Sequence, residues 1–119
     1  MTARTIITAA LAAVALLFAY LGYTFLTDAS LGYELTHHTP EALPQVFGGR
    51  FLGLAIIIAT LLVLSEWRAV VVVLGVTASM AFLDGLLEPS SEAWAHWGVA
   101  VGCAVLAFAV YRYLASRRA

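Results

Sequence analysis

The stretch Gln45–Glu66, QVFGGRFLGLAIIIATLLVLSE, decides how the rest of the chain is interpreted. As a helix it is long enough to cross a lipid bilayer, because a span needs about 20 residues. Apart from Glu66 at its end, its one full charge is Arg50, which lies about one and a half turns after its start. An unpaired arginine costs roughly 2.5–3.5 kcal/mol at the centre of a membrane. We therefore expect Arg50 to have an acidic partner, to face a water-filled cavity, or to serve a function.

The composition indicates an integral membrane protein. Of the 119 residues, 63% are hydrophobic and 11% are charged, whereas a soluble domain carries about 25% charged residues. We interpret residues 1–119 as a single integral membrane domain whose main partner is the lipid bilayer. The sequence has no basic stripe that could grip phosphates, which excludes nucleic-acid binding. Its single cysteine, Cys103, lies in an apolar stretch and is interpreted as an inert core thiol.

Four long apolar stretches predict an all-α fold, a bundle of four transmembrane helices. The predicted helices cover about residues 6–27, 45–66, 70–87 and 92–114. The first is longer than the apolar core of a secretory signal, roughly 7–15 residues, and is therefore interpreted as a true span. The residues Trp67–Ala69 are predicted to form a tight turn. In the polar interval Asp28–Pro44, the sequence Thr39-Pro40-Glu41 is typical of a helix start and predicts a short interfacial helix.

The arginines predict how the bundle is oriented. Most of them lie at the two termini or next to the connection between the second and third helices: Arg4, Arg68, Arg112, Arg117 and Arg118. The first and third connections contain acidic residues and no arginine or lysine. Because connections rich in basic residues stay in the cytoplasm, both termini and the Trp67–Ala69 connection are predicted to be cytoplasmic. The predicted location is the inner (cytoplasmic) membrane, which the chain crosses several times.

With this topology, all four helices carry polar residues near their outer ends, while their inner halves are almost entirely apolar. The residues predicted to line a polar pocket there are Tyr20, Tyr23, Thr24, Arg50, Asp84, Glu88, Glu92 and His96. Ionisable groups inside a membrane mark functional sites by default. The pocket is predicted to bind a small lipophilic molecule or a lipid headgroup, or to assist a partner protein. The alternative is that Arg50 and Asp84 form a purely structural ion pair between the second and third helices.

The same residues allow a second function, that of an acid–base enzyme. Asp84 would be the base or nucleophile, His96 the acid or base, and Arg50 the group that stabilises developing negative charge. The reaction would be isomerisation or epoxide-type hydrolysis of a lipophilic substrate. No cofactor motif is present, and no metal site is predicted, because spacing fixes no third ligand beside Glu92 and His96. Ion or proton transport is disfavoured because three helices lack polar groups below the outer third of the membrane.

A close-packing motif, Gly49-x-x-x-Gly53, lies in the second predicted helix. Glycines at this spacing let two helix backbones approach each other closely. The motif predicts either packing inside the bundle or a face on which the chain forms a homodimer.

Three segments resemble a known group of sequences: Phe47-Gly48-Gly49-Arg50-Phe51-Leu52-Gly53-Leu54-Ala55, Phe82-Leu83-Asp84-Gly85, and His96. They are similar to small four-helix bacterial membrane proteins classed as domains of unknown function, in the neighbourhood of the DoxX-like proteins. The resemblance covers most of the chain after Asp28. It implies a four-span bundle in the cytoplasmic membrane, with Arg50, Asp84 and His96 at the positions that match the family pattern. It implies no activity, and hydrolases or isomerases of similar layout are an analogy only.

Overall fold

Five α-helices make up the chain in the computed structural model, which describes residues 2–36, 44–87 and 93–117. They are α1 (Ala3–Thr27), α2 (Ala29–Thr36), α3 (Pro44–Val63), α4 (Trp67–Leu87) and α5 (Ala93–Ser116). No strand occurs in these ranges. The predicted all-α class is therefore confirmed.

Three of the helices, α1, α4 and α5, are long and apolar enough to cross a membrane. The apolar part of α3 is shorter and covers Gly48–Val63. Many large apolar side chains lie on the outer surface of the bundle, among them Leu16, Val72 and Val101, each more than 60% exposed. Apolar surface of this extent on a helical protein is typical of contact with lipid. The fold is that of a membrane protein.

The long helices pack as two antiparallel pairs, α1 with α3 and α4 with α5. The first pair is closest where two buried glycines meet. A methyl group added at Gly22 would lie 2.9 Å from the backbone nitrogen of Leu52, and one added at Gly48 would lie 2.8 Å from the side chain of Leu26. Stacked rings extend the same contact, with the centroids of Phe25 and Phe51 5.8 Å apart. The absence of side chains at the two glycines is what lets α1 and α3 lie in contact.

A single apolar core runs between the two pairs. Its most deeply buried members come from every long helix: Leu11, Ile58, Val70, Leu74 and Val110. Cys103 belongs to this core and is buried, as expected for a core thiol.

The turn between α3 and α4 lies three residues earlier than predicted. Ser65 has a positive φ of 55°. Its backbone N–H donates to the carbonyl of Leu62, and that of Glu66 donates to the carbonyl of Leu61. This is the hydrogen-bond pattern that closes a helix when the residue after its last turn is left-handed. The prediction of a turn at Trp67–Ala69 is therefore wrong, because those residues form the first turn of α4.

The described part of the polar interval after α1 also differs from the prediction. Asp28 ends α1 by donating its N–H to Thr24, and its carboxylate accepts from Ser30 and from the N–H of Leu31. A side-chain oxygen that accepts a hydrogen bond from a backbone N–H in the first turn of a helix stabilises the start of that helix. Asp28 makes such a bond, and α2 begins at the next residue. Gly32 of α2 lies against the ring of Phe25. The predicted helix start at residues 39–41 lies outside the described residues.

One end of the bundle, which we call the arginine end, gathers Arg4, Trp67, Arg68, Tyr113 and Arg117. The guanidinium of Arg4 lies 6.0 Å from the centre of the Trp67 ring, and that of Arg117 lies 5.7 Å from the Tyr113 ring. The Trp67 and Tyr113 rings are themselves 6.2 Å apart. The start of α1, the start of α4 and the end of α5 therefore lie together, as the predicted topology requires.

The motif Gly49-x-x-x-Gly53 does not pack against any described part of the chain. A methyl group added at either glycine would meet no atom within 4 Å. Packing inside the bundle is therefore the wrong interpretation of this motif, and Gly22 with Gly48 makes the close contact. The homodimer face remains a prediction.

Replacing Gly22 by alanine is expected to destabilise the protein by about 1–3 kcal/mol, the usual cost of overpacking. The added methyl would lie 3.0 Å from the carbonyl oxygen of Gly48, so α1 and α3 must separate to admit it. The matched control, Gly53→Ala, adds the same group in open space and should be neutral or stabilising, since alanine favours helix by about 0.8–1.0 kcal/mol. Thermal unfolding in detergent measures both. Equal melting temperatures would contradict the close contact.

Candidate functional site

The site is built on a salt bridge between α3 and α4. Nη2 of Arg50 donates to Oδ2 of Asp84 at 3.0 Å. Arg50 lies in the second turn of α3, and Asp84 lies one turn before the end of α4. Their side chains are 28% and 25% exposed, so about three-quarters of the surface of each is buried. The ion pair that the sequence left as one of several possibilities for Arg50 is found in the structure.

A cavity of about 270 Å³ lies beside this pair and is bounded by all five helices. Its polar lining consists of Tyr20, Thr36, Arg50, Thr77, Asp84 and His96. Its apolar lining consists of Leu17, Phe18, Leu21, Leu35, Phe51, Leu54, Ala81, Ala95 and Val99. The volume is close to the lower limit for small-molecule sites, about 300 Å³. The cavity therefore suits a small ligand or the polar end of a longer one.

Arg50 carries more hydrogen-bond donors than the described residues of the protein use. A guanidinium has five N–H groups. One of them donates to Asp84, and the described residues supply no further hydrogen-bond or ion-pair partner. Donors held in a largely buried position favour an incoming acceptor, because an unsatisfied buried N–H is costly. The site is therefore arranged to accept a group that carries lone pairs.

The two threonines of the cavity present lone pairs and no free hydrogen. Thr77 is buried and donates its hydroxyl hydrogen to the carbonyl of Val73 at 2.8 Å. Thr36 donates in the same way to the carbonyl of Gly32 at 2.8 Å. Since each hydroxyl has one hydrogen, these groups can only accept further bonds. They can therefore hold a hydroxyl of a ligand but not its carbonyl.

His96 enters the cavity from α5, one turn after the helix begins, and is 5% exposed. Its neighbour Trp97 lies with its ring directly over Gly85, which adjoins Asp84 in α4. A side chain at position 85 would occupy the place of that ring. The missing side chain of Gly85 therefore brings the start of α5 against the end of α4, with Asp84 and His96 both lining the cavity.

The structure brings together four of the residues that were predicted to form the pocket: Tyr20, Arg50, Asp84 and His96 line one cavity. Tyr23 and Thr24 are not among its lining residues. Tyr23 is 61% exposed, while Thr24 is buried and donates its hydroxyl hydrogen to the carbonyl of Leu21 in its own helix. Glu88 and Glu92 lie outside the described residues. Whether any of these residues binds a ligand remains a prediction.

Two groups of lining residues were missed in the sequence. Leu35 and Thr36 belong to α2, whose existence was signalled by Asp28 as a helix-capping residue followed by a short mixed segment. Ala81 and Ala95 provide the space itself, since small side chains leave room where helices meet. Nothing in the sequence marks them, because alanine is common throughout the chain.

Comparison with known proteins gives one assignment. The model of a family described as Domain of unknown function (DUF4267) matches residues 15–110. No curated protein and no solved structure matches the chain. The match runs from α1 to near the end of α5 and includes every residue that lines the cavity. The resemblance to a family of unknown function is confirmed to that extent.

Replacing either member of the ion pair is expected to cost more than replacing both. Breaking a fully buried pair costs about 3–5 kcal/mol, and partial exposure should reduce this to about 1–3 kcal/mol here. Arg50→Leu and Asp84→Leu should each lower the melting temperature in detergent, because each leaves one charge unpaired. The double variant should recover much of the loss. Additive losses would show that the two residues do not stabilise each other.

Proposed function

The chain belongs to the DUF4267 family, and we propose that it is a multi-pass membrane protein that binds a small lipophilic molecule in the cavity beside Arg50. The observation that carries the proposal is that Arg50 bonds Asp84 through one of its five N–H groups and also lines the cavity. A structural ion pair needs no cavity next to it. The cavity with its spare donors favours a ligand as the second partner of Arg50.

The charge of the site favours an uncharged polar group on the ligand. Asp84 already balances the positive charge of Arg50, so binding an anion would leave an excess negative charge in a medium of low dielectric constant. A carbonyl, epoxide or ether oxygen accepts the guanidinium N–H without adding charge. The proposed ligand therefore carries a neutral oxygen acceptor.

The walls of the cavity favour an apolar body on the same ligand. Phe51, Leu54 and Val99 are apolar residues that line the same cavity as Arg50. Leu17 and Tyr20 also line the cavity and are each 52% exposed on the outer surface of α1. An opening on the apolar surface of the bundle suits a molecule that enters from the membrane and not from water.

We propose that α3 crosses the membrane as a fourth span, in addition to α1, α4 and α5. With 20 residues, α3 has the length that a span requires, about 20 residues. The protein then lies in the inner membrane. Because basic residues favour the cytoplasmic side, the arginine end faces the cytoplasm. The cavity lies in the opposite, outer leaflet. A cysteine introduced at position 2 or 117 should accordingly react with a membrane-impermeant maleimide in opened cells but not in intact ones.

Filling the cavity should remove the bound molecule without unfolding the protein. Ala95→Leu places three more carbon atoms in the cavity, whereas Ala104→Leu, the matched control, places them on the exposed face of the same helix. Native mass spectrometry of protein extracted in mild detergent should detect a small molecule on the wild type and on Ala104→Leu. Ala95→Leu should lose at least about nine-tenths of it, the effect of ~1.4 kcal/mol. A wild-type protein that carries no molecule, or equal occupancy of all three proteins, would refute the binding function.

An acid–base enzyme is the second candidate, since Asp84 and His96 line the same cavity as Arg50. Asp84 would take a proton from the substrate or attack it, His96 would return or supply a proton, and Arg50 would hold the developing oxyanion. The reaction would be an isomerisation or an epoxide-type hydrolysis. The neutral oxygen that would accept a hydrogen bond from Arg50 in a bound ligand is also the atom on which negative charge would develop during either reaction.

The variant Asp84→Asn separates the two functions, because it keeps the shape of the side chain and removes its charge. If the protein only binds, wild type and variant should carry the same molecule, at lower occupancy in the variant. If the protein is an enzyme, the variant should accumulate a substrate that is absent from the wild type, detectable as a different mass or as an isomer on chromatography. Identical molecules on both proteins would exclude the enzyme.

A further inference from the structure

A second groove lies at the arginine end, between the start of α4 and the end of α5, and it is independent of the cavity beside Arg50. Its volume is about 350 Å³, and its lining consists of Arg68, Val71, Tyr111, Leu114 and Ala115. The residues follow a gradient along the helices. Arg68, Leu114 and Ala115 lie near the ends of their helices, and Val71 and Tyr111 lie about one turn deeper, where the bundle is apolar.

Arg68 is distinguished from the other described arginines by what surrounds it. Arg50 is paired with Asp84. Arg4, Arg112 and Arg117 each lie over an aromatic ring, at 5.7–6.0 Å from its centre. Within residues 2–36, 44–87 and 93–117, Arg68 has neither a carboxylate nor a ring as a partner. Its guanidinium is exposed at the mouth of the groove.

The charge around the groove is positive. Arg4, Arg112 and Arg117 lie at the same end as Arg68, against one described acid, Glu66, which forms no ion pair with Arg68. Such a concentration of guanidinium groups at the membrane surface attracts anionic lipid. A guanidinium also matches the geometry of a phosphate, to which it can donate two parallel hydrogen bonds. Tyr111, 58% exposed, also lines the groove, about one turn deeper than Arg68.

From these observations we propose that the groove is a binding site for an anionic glycerophospholipid. The phosphate bonds Arg68 at the helix ends, and one acyl chain lies along the deeper residues Val71 and Tyr111. A net negative headgroup suits this site because Arg68 forms no ion pair with any described residue. A zwitterionic lipid offers the same phosphate but adds a cation, which the surrounding arginines repel.

The experiment compares lipids that remain bound to the protein after release from nanodiscs. The nanodiscs contain phosphatidylcholine and phosphatidylglycerol in equal amounts, and native mass spectrometry counts each lipid on the wild type, Arg68→Gln and Arg117→Gln. Arg117→Gln is the control. It removes the same charge from the same end of the bundle, but Arg117 already lies over the ring of Tyr113. Ala115→Leu narrows the groove and keeps every charge.

The wild type should retain phosphatidylglycerol in preference to phosphatidylcholine. Diffuse attraction contributes about fivefold per basic residue and would weaken both arginine variants alike. The proposed site predicts a loss for Arg68→Gln at least about threefold greater than for Arg117→Gln, and a loss for Ala115→Leu as well. Equal losses in the two arginine variants, or full retention by Ala115→Leu, would overturn the site. Displacement of the lipid by millimolar inorganic phosphate would show that the site recognises phosphate alone, and this would overturn its assignment to a lipid.

Discussion

A guanidinium inside an apolar helix has to meet its counter-charge within the protein, and the contact between Arg50 and Asp84 is the constraint on which the arrangement of the long helices depends. The bundle consists of two antiparallel pairs, and α3 and α4 touch each other over a much shorter length than either touches its partner. The 3.0 Å salt bridge joins the pairs at this weaker contact. It also turns both side chains towards the space between the helices, where the cavity lies.

Small side chains have opposite consequences in this protein, according to what stands across from them. At Gly22 and Gly48 the facing backbone fills the space, so α1 and α3 come into close contact. At Gly85 the ring of Trp97 fills it, which fixes the start of α5. Ala81 and Ala95 line the cavity, where their small side chains take up little of its space. Close packing around the site is what keeps this volume open, because the helices cannot shift to close it.

The two ends of the bundle carry the same group in different electrostatic settings. Arg50 is balanced by Asp84 and lines a cavity between the helices, which suits a neutral oxygen acceptor on an apolar molecule. Arg68 has no balancing charge in the described chain and lies at the mouth of an open groove, which suits an anion at the membrane surface. The number of nearby carboxylates, and not the guanidinium itself, distinguishes the two proposed ligands.

The all-helical class follows from the sequence, because composition and the lengths of apolar stretches act without reference to packing. The cost of an unpaired charge made an acidic partner one possibility for Arg50, and the packing of α3 against α4 decided that it is Asp84. Other features depend on what lies opposite each residue. Tyr20 and Tyr23 are about 60° apart on one helix, yet one lines the cavity and the other does not, because α1 is covered on one side. Helix α3 ends just before Ser65, because that serine is held in a left-handed conformation that glycine usually occupies. The cavity is lined by residues of all five helices, and a space shared by five helices is a property of how they pack and not of any stretch of sequence.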